Sequence, residues 1–598
     1  MIKKITGLIT KKQKKKILGL VFLSIIISAI ETVGISAILP FISVANDFSL
    51  VTNNEYYNFA YNLFKFTNAK DFVLAFGFVL VGFYLVRGAI NLGYIYLIHK
   101  FSQGIFLSLS THLFSNYVHI KYQDMTSRNS SDLSKKLISE TTYASSFFYS
   151  LLLMISELFV SSFLYCALLI VNYKVTLILT GFLGVMVLFL VKVVSTLIKK
   201  EGSKRNHFQE IYYRTISETL GNLKFIKLLS SEKTAVDALH NSGQGYINAL
   251  ILNSTYNSVP RLSLESIGFS LLIGALIYAL MQGGNITDII PTVTLFALAM
   301  YRLLPSVNRI LSSYNNMIYY TKTLDLLYED YNIDTHKLGS EPLKFDNEIN
   351  INNLTFGYTD EPVLENISLN IKKGQKIALI GESGAGKSTL ADIIIGMYTS
   401  YSGKINIDET VLAEKNLLSW RSRIGYIPQS IYLVDGSAEN NVVFGRKHDK
   451  ELVHKALEKA EIMDFLETQN GFDTMVGENG MQLSGGQKQR IGIARAIYGN
   501  PDVYILDEAT SALDKDTEAK IMDQIFEVSE GKTLIIIAHR LSTIQRCDKI
   551  FRIENKALKE VDRSTVSELT DLSKNAGENA DQKAGESNTI NSKESGTK

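Results

Sequence analysis

Long apolar runs alternate with charged stretches through the first half of the chain and vanish from the second. Residues 17–46 are interrupted only by Glu31, 72–98 only by Arg87 and 141–173 only by Glu157, while 175–191 carry no charge. Residues 266–287 are again uncharged, and 289–308 hold only Arg302. Each run is near or above the ~20 residues a helix needs to cross a bilayer, so about six spans are expected. Buried helices of a soluble protein do not explain so many runs in one half of a chain. A cleaved signal peptide fits poorly too, because the first run is too long and others follow it.

Lysines 3, 4, 11, 12, 14, 15 and 16 precede the first run, which keeps the N-terminus in the cytoplasm. Linkers 99–137 and 196–257 are long and basic, whereas 172–174 and 281–288 are short and nearly free of basic residues. The alternation puts both termini inside. The long linkers read as helical, so the spans should continue into the cytoplasm as stalks. From about residue 349 the pattern becomes that of a soluble α/β domain, with β-rich runs at 376–380, 503–506 and 533–537 between helical segments. The domains expected are a membrane α-helical domain over 1–335, a cytosolic α/β P-loop domain over 345–562, and a disordered tail over 573–598, where Ile590 is the only large apolar residue.

Composition narrows the function. At 598 residues the chain is too long for a single core, and 61 basic against 59 acidic residues give a net charge of +2. That balance argues against a nucleic-acid partner held by basic excess. Cys166 and Cys547 fit neither a disulfide framework nor a spaced metal site.

The run 376–380 leads into Gly381-Glu382-Ser383-Gly384-Ala385-Gly386-Lys387-Ser388-Thr389, followed by an apolar helix. This is a phosphate-binding loop: backbone N–H groups wrap phosphates, Lys387 reaches the β- and γ-phosphates, and Ser388 offers a hydroxyl to Mg²⁺. The second strand, 503–506, ends in Asp507-Glu508. Asp507 is placed to hold the Mg²⁺ of ATP through its water shell, and Glu508 to act as general base at the γ-phosphate.

Between them lies Leu483-Ser484-Gly485-Gly486-Gln487 at the start of a helix, and here the chain resembles the ATP-binding cassette superfamily, whose signature this is. The resemblance implies that Tyr358 stacks on adenine, that Gln429 is the Q-loop residue and touches the metal, that Ser511-Ala512-Leu513-Asp514 is the D-loop and that His539 is the switch histidine. In that family the signature of one cassette binds the nucleotide of another. A homodimer with two composite sites follows, or a heterodimer with a related chain.

Membrane spans first and cassette second, with 474–480 like the X-loop, resembles the type IV half-transporter exporters of that superfamily. This implies short coupling helices near 121–129 and 211–222. Within the exporters, residues 31–42, 259–269 and 301–309 are similar to the bacterial lipid-linked oligosaccharide flippases of the inner membrane. Those move a polyprenyl-diphosphate-linked glycan to the periplasmic leaflet for N-glycosylation.

An arginine inside a span is costly and should face a wet cavity or an anion. Arg87, Arg261, Arg302 and Arg309 are therefore candidate substrate residues, since guanidinium forks suit a diphosphate. The alternative pairs them with Glu31, Glu157 and Glu265 between helices, but four arginines outnumber three acids. Residues 48–70, rich in Tyr and Phe, allow an amphipathic helix at the outer surface, as a membrane anchor or a holder of a lipid tail. Rival functions are export of a lipid A-like lipid or of hydrophobic drugs and, from another class, an ATP-gated anion channel.

Overall fold

A computed structural model describes residues 2–46, 48–281, 286–335, 338–507, 515–538 and 540–563. The tail expected over 573–598 lies outside them. The chain divides into one unit of residues 1–120 and 127–335 and a second of 121–126 with 336–598.

The first unit is helical, with main helices Lys11–Ser36, Ala69–His119, Thr141–Gly221, Glu232–Met281 and Ile286–Tyr319. Among the described residues four segments are long and apolar enough to cross a membrane: Lys11–Gly34, Ala69–His119, Ser130–Ile170 and Thr180–Gly221. The other two expected spans fall in Glu232–Met281 and Ile286–Tyr319, where many side chains are outside the description. At ~1.5 Å per residue, Ala69–His119 is about 75 Å long, more than twice the hydrocarbon thickness, so it supplies both a span and a stalk. Exposed Phe78, Leu85, Val185 and Leu188 suit lipid rather than water.

Thr141–Gly221 is not one straight rod. The Thr176 hydroxyl donates to the Leu168 carbonyl at 3.0 Å, although eight residues of straight helix would separate them by about 12 Å. Ser139 meets Tyr213 and Tyr143 meets Gln209 in antiparallel pairing. The run therefore folds back near the short linker 172–174, and Val160, Leu164, Leu183 and Leu190 pack in one core.

Two boundaries differ from expectation. Residues 121–126 group with the second unit, as the short helix Tyr122–Thr126. The stretch 211–221 simply continues the long helix, which ends where Asn222 leaves helical geometry (φ −112°, ψ 23°); the separate short helix is Leu223–Leu228. The aromatic loop forms Glu55–Leu63, capped by Asn54 accepting from the Tyr56 N–H. One face, Tyr57, Ala60 and Tyr61, packs with Phe66 and Phe72, leaving Tyr56, Phe59, Leu63 and Phe64 exposed.

Among its described residues the second unit contains two sheets. A four-stranded antiparallel sheet runs in the order Leu364–Lys372, Glu348–Phe356, Ser402–Ile407, Thr410–Val411. A six-stranded sheet runs Ala557–Glu560, Lys549–Glu554, Lys376–Ile380, Thr533–Ile537, Val503–Asp507, Ile424–Ile427, with only the first pair antiparallel. Val503–Asp507 and Thr533–Ile537 are buried at every position, as a parallel sheet covered on both faces requires. Their carboxyl ends bring the chemical groups together.

Candidate functional site

Strand Lys376–Ile380 delivers the phosphate loop and helix Lys387–Ile395 receives it. Gly386 caps that helix at φ 101°, and a Cβ there would lie 2.9 Å from Leu364 Cδ2, so both conformation and space call for glycine. Lys387 is buried, its ammonium donating to the Gly381 and Glu382 carbonyls at 3.0 and 2.9 Å. The ammonium is thereby held within the loop that would wrap the phosphates.

The Ser388 hydroxyl donates to Asp507 Oδ1 at 2.9 Å. A hydroxyl in the first turn of the helix and a carboxylate at a strand end, hydrogen-bonded to each other, are hard oxygen donors of the kind Mg²⁺ takes alongside phosphate oxygens, so the residues fit that ion. Gln429 is exposed two residues beyond Ile424–Ile427, the strand beside Val503–Asp507. Asp392, one helical turn after Ser388, is pushed up to about 6 by burial, with the negative charge of Asp507 adding to the shift.

Tyr358 is half-exposed; its hydroxyl and that of Thr389 are 2.8 Å apart, and its ring meets Phe356 and Tyr398 edge-on. It lines a cleft of about 520 Å³ together with Glu382, Ser383, Gly384 and Ala385. The same cleft is lined by Arg552, Asn555 and Lys556, which no motif marked.

Ser484 is the N-cap of helix Gly485–Ile497 and closes a reciprocal box with Gln487. The Gln487 carboxamide oxygen accepts from the Ser484 N–H at 2.8 Å, so its contribution here is to set the helix start. Ser484 and Gly485 are exposed, leaving the helix N-terminus open to an anion. Glu508, Asp514 and His539 lie outside the described residues.

In the membrane unit, Arg87 pairs with Glu31 at 2.7 Å and Arg309 with Glu157 at 2.5 Å, each joining two helices. Among the described residues Arg261 is paired not between helices, as the alternative reading supposed, but with Glu265 at 3.6 Å, one turn along the same helix; Arg261 is exposed and Glu265 half-buried. The Arg302 side chain is outside the description. Sequence reasoning missed a second charged cluster, in which buried Arg205 lies 3.6 Å from Glu140, 3.0 Å from Thr323 and 4.0 Å from the Tyr143 ring centroid. Glu140 ends a π-helical turn, Lys136–Glu140.

A membrane-spanning helical unit joined to a phosphate-loop nucleotide cassette defines the class of protein. Residues 17–303 match the ABC transporter transmembrane region and residues 364–511 the ABC transporter family. The "ATP-dependent lipid A-core flippase" of Pseudomonas fluorescens (strain Pf0-1) is 30% identical over 487 residues, 79% of this chain and 80% of that protein. The protein of the same name in Vibrio vulnificus (strain CMCP6) is 40% identical over 227 residues, 37% of this chain and only 39% of its own length. A solved structure, "Structure of a bacterial Atm1-family ABC exporter with ATP bound", is 22% identical with a TM-score of 0.74, covering 92% of this chain and 96% of that one. The chain belongs to the ABC transporter family, and its fold is that of the exporters.

Proposed function

We propose that this protein is an ATP-driven flippase that moves a polyprenyl-diphosphate-linked oligosaccharide from the cytoplasmic to the periplasmic leaflet of a bacterial inner membrane, for protein N-glycosylation. The observation that carries the reading is the set of arginines in or beside the spans, Arg87, Arg261, Arg302 and Arg309. Arg87 supports it further: its Nε–H is buried and has no hydrogen-bond partner among the described residues, although the other end of the guanidinium is held by Glu31. That donor is available to a headgroup oxygen.

ATP with Mg²⁺ supplies phosphoryl-transfer chemistry. Lys387 and the loop amides would hold the phosphates, Ser388, Asp507 and Gln429 would hold the ion, Glu508 would take the proton of the attacking water and His539 would support the γ-phosphate. The open N-terminus at Ser484 fits a phosphate presented by a second copy of the chain, which makes the working unit a homodimer. Exposed Leu220, Leu223, Phe225, Leu228 and Leu229, around the second short helix, suit burial against that copy. Tyr122–Thr126 and Leu223–Leu228 act as the coupling helices, and Glu55–Leu63 anchors in the outer interface through its exposed aromatics.

A second reading, transport of a lipid A-like lipid, is favoured by the names of the relatives. ATPase stimulation separates the two. Stimulation by a polyprenyl-diphosphate glycan, with little response to lipid A or uncharged drugs, is expected; the reverse order would replace the first reading by one of the others.

A further inference from the structure

The wall of the nucleotide cleft contributed by Arg552, Asn555 and Lys556 comes from the edge hairpin of strands Lys549–Glu554 and Ala557–Glu560. Glu554 pairs with Ala557, which leaves Asn555-Lys556 as a two-residue turn. Both residues have positive φ, 50° and 65°, as a type I′ turn demands. Asparagine tolerates this conformation, but the second position favours glycine, and a lysine there carries the strain of its Cβ. Strained backbone of this kind persists where the surroundings hold it, often at binding clefts.

The surroundings do hold it. The Lys556 carbonyl accepts from the Glu365 N–H at 2.8 Å, tying the turn to the antiparallel sheet. The hairpin also abuts the start of the phosphate loop, where a Cβ on Gly381 would lie 2.5 Å from the Ile553 carbonyl oxygen. Arg552 is paired with Glu554 at 3.3 Å, whereas Lys556 is exposed and makes no ion pair among the described residues. An exposed lysine on a fixed turn thus lines the same cleft as the phosphate-loop residues Glu382, Ser383, Gly384 and Ala385.

We propose that Lys556 is a nucleotide-binding residue whose ammonium attracts the phosphate chain of bound ATP and sets part of its affinity. This rests on the cassette binding ATP. The test compares K556A, K556G and K556R with the wild type in the full-length protein, by steady-state ATPase activity and binding of MgATP. K556A and K556G should raise KM and Kd about two- to fivefold, the scale of an exposed charge contact, with kcat changed far less, and the defect should shrink as salt rises. K556R should restore most of the affinity. K556G is the decisive variant, because it relieves the turn and should melt no lower than the wild type while binding ATP more weakly. Wild-type affinity in K556G, or a K556R as weak as alanine, would overturn the proposal. A wild-type protein that fails to bind MgATP would sink the cassette reading instead.

Discussion

The Ser388 hydroxyl donates a 2.9 Å hydrogen bond to Asp507, 119 positions away in sequence. Two strands separated by one neighbour produce the contact. Lys376–Ile380 and Val503–Asp507 both flank Thr533–Ile537 in the parallel sheet, so the loop after one and the carboxylate ending the other share an edge. The pair is the point at which nucleotide-bound metal would be felt by the cassette.

Replacing Asp507 with Asn keeps a hydrogen-bonding side chain but removes the charge. ATPase activity should fall about 10- to 100-fold, the usual cost of losing a group that orients a metal's shell, and excess Mg²⁺ should recover part of it. Activity measured against Mg²⁺ concentration checks this; a D507N curve superimposable on the wild type would remove Asp507 from the metal site.

Neutralising Arg87 together with Arg302 should lower the glycolipid translocated per ATP hydrolysed to near background. Glu31→Gln alone frees Arg87 from its 2.7 Å partner and should disturb transport less than the double arginine change. Parallel flux and phosphate-release measurements decide it, and an unaltered ratio in the double variant would take these arginines off the substrate path.

The Arg205–Glu140 pair is fully buried among Tyr143, Tyr319 and Tyr320. Glu140→Gln strands a buried guanidinium and should cost about 3–5 kcal/mol, whereas exchanging both residues for apolar ones of similar volume should cost far less. Thermal unfolding of the single and paired variants measures the difference. Equal losses would mean that the pair is not coupled.

Asp392 gives the cassette a pH signature. Its folded carboxyl holds protons up to about pH 6 against about 3.9 in the unfolded chain, so the folded state binds more protons in between. Stability therefore falls as pH rises through that window, and the penalty is complete above it. Asp392→Asn should match the wild type in Tm near pH 4 and exceed it at pH 7.5 in nucleotide-free protein. An Asn variant with no advantage at pH 7.5 would contradict the assignment.

The phosphate loop, the strand ending in Asp507 and the signature helix were legible because each is a short contiguous pattern with its own backbone demand. The hairpin reversal at 172–174 was legible as a short linker, nearly free of basic residues, between two apolar runs. Lys556 was not, because Asn-Lys reads as an ordinary turn and only the sheet order places it beside the phosphate loop. The Arg205 cluster escaped for a similar reason: Glu140, Arg205 and Thr323 lie in three segments that only tertiary packing joins. The separate helix Leu223–Leu228 was not legible because 211–221 and 223–228 read as one helical stretch, and the break at Asn222 (φ −112°, ψ 23°) has no sequence pattern of its own.

We propose that ATP hydrolysis by this protein carries an anionic lipid headgroup across the bilayer. Purified wild-type protein in liposomes, supplied with MgATP and a fluorescent polyprenyl-diphosphate glycan, tests it by the fraction of label that changes leaflet. ATP-dependent relocation, lost when Lys387 is replaced by Ala, is the expected result. Normal ATP consumption with no relocation of the glycolipid would contradict the proposed substrate while leaving the cassette's chemistry in place.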